Sequence, residues 1–246
     1  MKSPLNNLIA QWNRVGAAFT GPMAKRTPDL ERMLLDTARL AAKNSRLFTM
    51  AATWLGKYGP YVAKDRLKQL TTHELDSEYR PYLGLLLETV QQFDRSTRFN
   101  KTISRCSPCA NPRPLFDIYL KNQTLRHLAQ KNATALSRHW GLWSPEMTMK
   151  FDTLRSTNWI LENNPKLFFR AVYKGNLRAS ILAELLHNHG QCESESQLAR
   201  RCGVTVSGLL DAICDLELAG LIERTLEGRK NKIQLIGQPV RKRPAA

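Results

Sequence analysis

Residues 176–236 read NLRASILAELLHNHGQCESESQLARRCGVTVSGLLDAICDLELAGLIERTLEGRKNKIQLI, and their punctuation sorts them into three short helices followed by a hairpin. Leu177, Ile181, Leu182, Leu185 and Leu186 recur at helical spacing, giving the first helix an apolar face that Gly190 closes. Ser194 is placed to cap the second helix, with Glu195 in its first turn and Leu198 and Ala199 turned inward. Gly203 ends that helix in a turn reaching Val206. The third helix starts at Thr205 or Val206, buries Leu209, Leu210, Ile213 and Leu216, and ends at Gly220, where a left-handed residue is cheap only as glycine. Leu221 to Thr225 and Lys232 to Ile236 then read as two strands, with Glu227 to Asn231 between them as a polar, basic loop.

The run LARRCGVTVSGLLDAICDLELAGLIERTLEGRKNKIQL resembles the winged helix-turn-helix of bacterial MarR-like and ArsR-like regulators, in which a recognition helix ends in Leu-x-x-x-Gly-Leu-Ile and a basic wing follows. The resemblance is confined to this C-terminal stretch. It implies a transcriptional regulator, a repressor or autorepressor, binding double-stranded DNA as a homodimer on a palindromic site. The contacts it implies are Thr205, Ser207 and Gly208 at the start of the recognition helix, and Arg200 and Arg201 on the helix before it. Arg224, Arg229, Lys230, Asn231 and Lys232 supply the wing, and Arg241, Lys242 and Arg243 a basic tail. One departure weakens sequence reading. Residues 203–220 contain no Lys or Arg and present Asp211 and Asp215 beside Ser207 and Gly208, whereas base edges are read mainly by Arg, Lys, Asn and Gln. Modest sequence discrimination is therefore expected. The same surface suits a second function, an adaptor or antitoxin of a defence or plasmid system whose winged module or basic body docks an acidic protein.

The totals favour a polyanionic partner. Lys+Arg 37 against Asp+Glu 21 gives a net +16 over 246 residues, with a sequence pI near 10.0, and neutralised phosphates release counterions. Residues 176–246 hold 10 basic against 8 acidic residues, leaving 27 against 13 in residues 1–175. The interval 95–150 alone has 10 against 2, interleaved with Phe99, Phe116, Tyr119, Trp140 and Trp143. These rings belong either to the core, as their type favours, or to a surface stacking on exposed bases.

Other chemistries find little support. Cys106-x-x-Cys109 lacks a second ligand pair at zinc spacing and reads as two reduced thiols, so neither metal nor cofactor is expected. The five cysteines, the absence of a leader-like N-terminal run and the lack of a long apolar segment point to a soluble, cytoplasmic protein without a membrane partner. His, Ser and carboxylate spacings form no hydrolase, metalloprotease or phosphate-loop motif, so no enzyme is expected.

The expected fold is mainly α, with a helical body over 1–165, the winged module over 166–236 and a flexible basic tail over 237–246. In the body, Thr27-Pro28-Asp29 marks a helix start, a second helix breaks at Gly59-Pro60, and a third covers about 61–70. Residues 77–93 form a further helix with Pro81 in its first turn, and the prolines within 95–113 make an irregular connector. Residues 115–120 and 124–140 resume helical spacing, and Ser144-Pro145-Glu146 reads as the start of one more helix.

Overall fold

Residues 3–164, 167–173, 175–228 and 230–236 are described by the computed structural model; they are mainly helical, with a small antiparallel three-stranded sheet near the C-terminus. The chain divides into two compact units, Met1–Pro165 and Lys166–Ala246. The tail expected over 237–246 lies outside the described residues.

In the N-terminal unit, α1 (Pro4–Arg14) buries Leu8 and Trp12, and the Trp12 indole donates to Thr37 Oγ1. The helix α2 (Leu30–Leu40) starts later than the Thr27-Pro28 signal predicts. Asp29 is its cap, accepting from the Arg32 amide, because the same carboxylate is also fixed by the Arg66 guanidinium at 2.5–2.6 Å. Next, α3 (Ser45–Tyr58) is capped by Asn44 and buries Leu47, Phe48, Ala51, Trp54 and Leu55 completely; Gly59–Tyr61 continues it as a 3-10 turn. The next helix, α4 (Lys64–His73), begins three residues beyond the start expected at about residue 61, after this turn. Then α5 (Arg80–Asp94) carries Pro81 in its first turn and buries Leu83, Leu85, Leu86 and Leu87, so it is enclosed on several sides and packs on α2 and α3.

The interval predicted as a connector holds a short helix, α6 (Asn100–Ile103), and the strand β1 (Arg113–Pro114). Two helices replace the single one expected over 124–140, α7 (Gln123–Lys131) and α8 (Ala135–His139), because Thr134 turns extended and caps the Ser137 amide. The two-residue β2 (Leu142–Trp143) pairs in parallel with β1. No helix starts at Ser144. Its amide donates to Ser137 Oγ and its carbonyl accepts from the Thr134 amide and Ser137 Oγ, so its backbone is fixed against α8, and its hydroxyl donates to the Pro145 carbonyl instead of capping a following turn. Finally α9 (Thr157–Asn163) returns to α1, where Arg14 Nη2 donates to the Asn163 carbonyl at 2.6 Å and the Asn164 amide group donates to the Arg14 carbonyl.

The C-terminal unit runs α10 (Leu167–Val172), α11 (Leu177–His187), β3 (Gln191–Cys192), α12 (Glu195–Cys202), α13 (Val206–Leu218), β4 (Ile222–Glu227) and β5 (Lys230–Leu235). Its core gathers Ile181, Leu182 and Leu185 of α11, Leu198 of α12, Leu209, Ile213 and Leu216 of α13, and Ile222 and Ile233 of the sheet. Leu186 and Leu210, expected inside, are half-buried, Leu186 at the edge of this core. The strand β3 is unexpected, being too short to show alternation, and it adds to β5 to give the order β3-β5-β4.

Candidate nucleic-acid interface

Local capping positions the exposed end of α13. Gly203 adopts φ +76 at the end of α12, Val204 follows, and Thr205 accepts from the Gly208 amide at 3.2 Å. The Thr205 and Ser207 hydroxyls lie 3.2 Å apart, and residues 205–208 are all exposed. The Val206 and Ser207 amides, in the first turn of a thirteen-residue helix, have no acceptor within it and carry the positive end of its dipole. An added Cβ on Gly208 would meet Thr205 Oγ1 at 3.3 Å, so a larger residue there would crowd the cap.

The hairpin is tighter than its sequence predicts. Glu227 pairs with Lys230, so only Gly228, at φ +64, and Arg229 lie between the strands, and the five-residue loop is replaced by longer strands. Arg229 is outside the described residues, as are Arg241, Lys242 and Arg243. Glycine at the first position of a two-residue turn matches the twist of the flanking strands. The consequence is alternation through the wing. Asn231 and Ile233 share one side of β5, whereas Lys230, Lys232 and Gln234 share the other.

Register also decides the role of Arg224. It lies on the same side of β4 as the buried Ile222, and its guanidinium is gripped by Glu217 of α13 (2.6 and 2.8 Å) and Glu195 of α12 (3.1 Å). Asn231 donates to the same Glu195 oxygen at 3.2 Å. The Glu217 hydrogen bond, followed by that of Glu195, raises the Arg224 pKa above its ordinary value. Arg224 and Asn231, expected as wing contacts, thus tie the hairpin to the two helices. A guanidinium held by two carboxylates offers little net charge to a phosphate.

The remaining charges in this unit are also largely matched. Lys232 pairs with Glu227 at 3.1 Å across the hairpin, and Arg178 forms a close ion pair with Asp215, so that of the three acids on α13 Asp215 is offset from α11 and Glu217 from β4. Arg200 and Lys230 are exposed, Arg201 is half-buried, and Asp211 faces solvent. What the geometry brings together is Thr205, Ser207 and Gly208 at one helix start. Arg200 and Arg201 stand on α12 and Lys230 and Lys232 on one side of β5.

Elsewhere, Phe99, Phe116 and Trp140 are buried and Tyr119 packs on Phe116, so these rings belong to the core and not to a base-stacking surface. The Cys106 thiol donates to the Thr102 carbonyl, and burial pushes its pKa up to about 12. Cys109 donates instead to the Asn111 carbonyl at 3.1 Å, so each thiol has its own backbone acceptor. Cys106, held protonated, is a poor nucleophile and metal ligand. Among the described residues no cluster of three or more His, Cys, Asp or Glu could hold a metal, and no helix is long and apolar enough to cross a membrane.

No protein-family model, no curated protein and no solved structure matches the chain.

Proposed function

We propose that the protein is a DNA-binding transcriptional regulator, a repressor or autorepressor acting as a homodimer, whose C-terminal unit is a winged helix-turn-helix. The observation that carries the reading is the connectivity from α11 to β5: helix, strand, helix, three-residue turn, helix and hairpin, with β5 between β3 and β4. That arrangement leaves the start of α13 exposed, as a recognition helix entering the major groove requires. Phosphates are drawn to the first-turn amides of α13, to Arg200 and to the cations at the hairpin tip. Discrimination between sequences is modest, because α13 contributes hydroxyls and no Arg, Lys, Asn or Gln.

The test is a gel shift on the protein's own upstream DNA at two salt concentrations. Replacing Arg229, Lys230 and Lys232 together by Ala should weaken binding by about tenfold or more and reduce the salt slope by about 2–3. Arg224→Ala should leave that slope unchanged, since its charge is already matched by Glu217 and Glu195. An unaltered shift in the triple variant removes the wing from the mechanism.

A protein-docking role is the second reading, and the apolar surface of this unit favours it. Leu218 is 88% exposed, Leu226 72% and Ile236 58%. Large aliphatic side chains so exposed on a small unit suit a protein contact, either the second protomer or an acidic partner. Recovery of one stoichiometric partner protein, with no duplex binding, would select this reading.

A further inference from the structure

We infer that the N-terminal unit carries a second duplex-binding surface, centred on α7, that grips the phosphate backbone without reading bases. The inference rests on the reading of the protein as a DNA binder and adds a contact surface remote in sequence from the wing.

The surface is assembled from several elements that touch. The 3-10 turn Asp117–Leu120 packs against α7 and against the 3-10 turn Ala41–Lys43, and α7 also packs on β1. Arg138 of α8 reaches back to the end of α7, donating to the carbonyls of Gln130 and Ala133. These contacts place Lys43, Arg113, Lys121, Arg126, Lys131 and Arg138 on neighbouring elements, and all six are exposed. From residue 113 to 139 the sole carboxylate is Asp117. On α7 itself Ala129 is buried and Leu125 half-buried, while Arg126, His127, Gln130 and Lys131 face solvent. The charges thus occupy the outward side of a helix anchored by its opposite side.

Charge of one sign gathered on touching elements stabilises a polyanion along its length. The aromatic residues decide which polyanion. Phe116 and Trp140 are buried and Tyr119, half-buried, packs on Phe116, so among these rings none stands free as a platform for unstacked bases, and a duplex backbone fits better than a single strand. An anionic membrane fits less well, because with Leu125 and Ala129 turned inward α7 exposes a single aliphatic side chain, Leu128, and not an apolar face to insert. The exposed Ile118, Leu120 and Leu128 nevertheless make vesicles the necessary comparison.

The test uses the full chain, a labelled duplex of arbitrary sequence, and anisotropy titrations between about 50 and about 200 mM salt. Lys121→Gln, Arg126→Gln and Lys131→Gln together should reduce the slope of log K against log salt by about 2–3 and weaken binding about tenfold or more at the low-salt end. Lys25→Gln, Arg26→Gln and Lys64→Gln together remove the same charge from exposed positions elsewhere in this unit and should leave the slope unchanged. Equal losses in the two variants, or a slope unaltered in the first, would overturn the proposal. So would loss of binding to phosphatidylserine vesicles with duplex binding intact, which would reassign the surface to membranes. Wild-type protein that binds no duplex sinks both this inference and the regulator reading. A wing variant that still binds while the α7 variant does not would remove the winged module alone.

Discussion

Replacing Arg66 by Met should destabilise the N-terminal unit by about 3–5 kcal/mol, the usual consequence of leaving one member of a buried ion pair alone. Glu31 is 0% exposed and accepts from Arg66 Nη1 at 2.7 Å and from the Ala63 amide at 2.8 Å, so it ties α2 to the start of α4. Arg66 simultaneously holds Asp29, the cap of α2. Without the guanidinium, the Glu31 carboxylate loses a buried charge partner and Asp29 loses its two shortest contacts, while it still caps the Arg32 amide and lies 3.7 Å from the Arg32 guanidinium. Adding Glu31→Gln to Arg66→Met removes the stranded charge but keeps an acceptor for the Ala63 amide, and should recover at least half of the loss. The measurement is selective, since all five tryptophans (Trp12, Trp54, Trp140, Trp143 and Trp159) precede residue 165 and their fluorescence follows this unit. A single variant within about 1 kcal/mol of the parent in urea would contradict the role assigned to the pair.

Gly84→Val should be comparably severe, at about 4 kcal/mol. A Cβ at position 84 would lie within 2.7 Å of three carbons of the Trp140 indole, a ring only 2% exposed. Overpacking alone costs about 1–3 kcal/mol, and the displaced ring would also release the 2.6 Å hydrogen bond from its Nε1 to Glu88. Helix propensity pulls the other way, because glycine inside α5 sacrifices about 1 kcal/mol relative to alanine. Gly84→Ala should therefore show the smaller net loss and remain folded. A melting temperature unchanged in Gly84→Val would show that Trp140 can leave its seat freely.

What could be read in advance followed from how local each determinant is. The caps at Ser194 and Thr205 and the stop at Gly203 depend on residues two to four positions away, and the helices around the α12–α13 turn are bounded as expected. Thr134 and Ser144 failed because the decisive partner is tertiary. A threonine inside a helical apolar pattern looks like helix interior until its backbone turns extended, and the Ser144 amide and carbonyl are claimed by α8 seven residues back while its hydroxyl turns to the Pro145 carbonyl. The wing was misjudged for a related reason. Its basic residues were visible, but which side of the ribbon each occupies depends on pairing register, and one shifted pair would exchange Arg224 for Glu223. The carboxylates that hold Arg224, Arg178 and Lys232 are likewise brought in by packing. The number of basic residues in the linear sequence therefore overstates the cations that the C-terminal unit presents outward, and the excess on α7 counts for more.

The central claim is that the start of α13 meets DNA, and amide hydrogen exchange at Val206 and Ser207 tests it most directly. These exposed first-turn amides should exchange fast in the free protein and slow by about tenfold or more when saturating duplex is added at low salt. Unchanged exchange at both amides, with duplex demonstrably bound, would contradict the account.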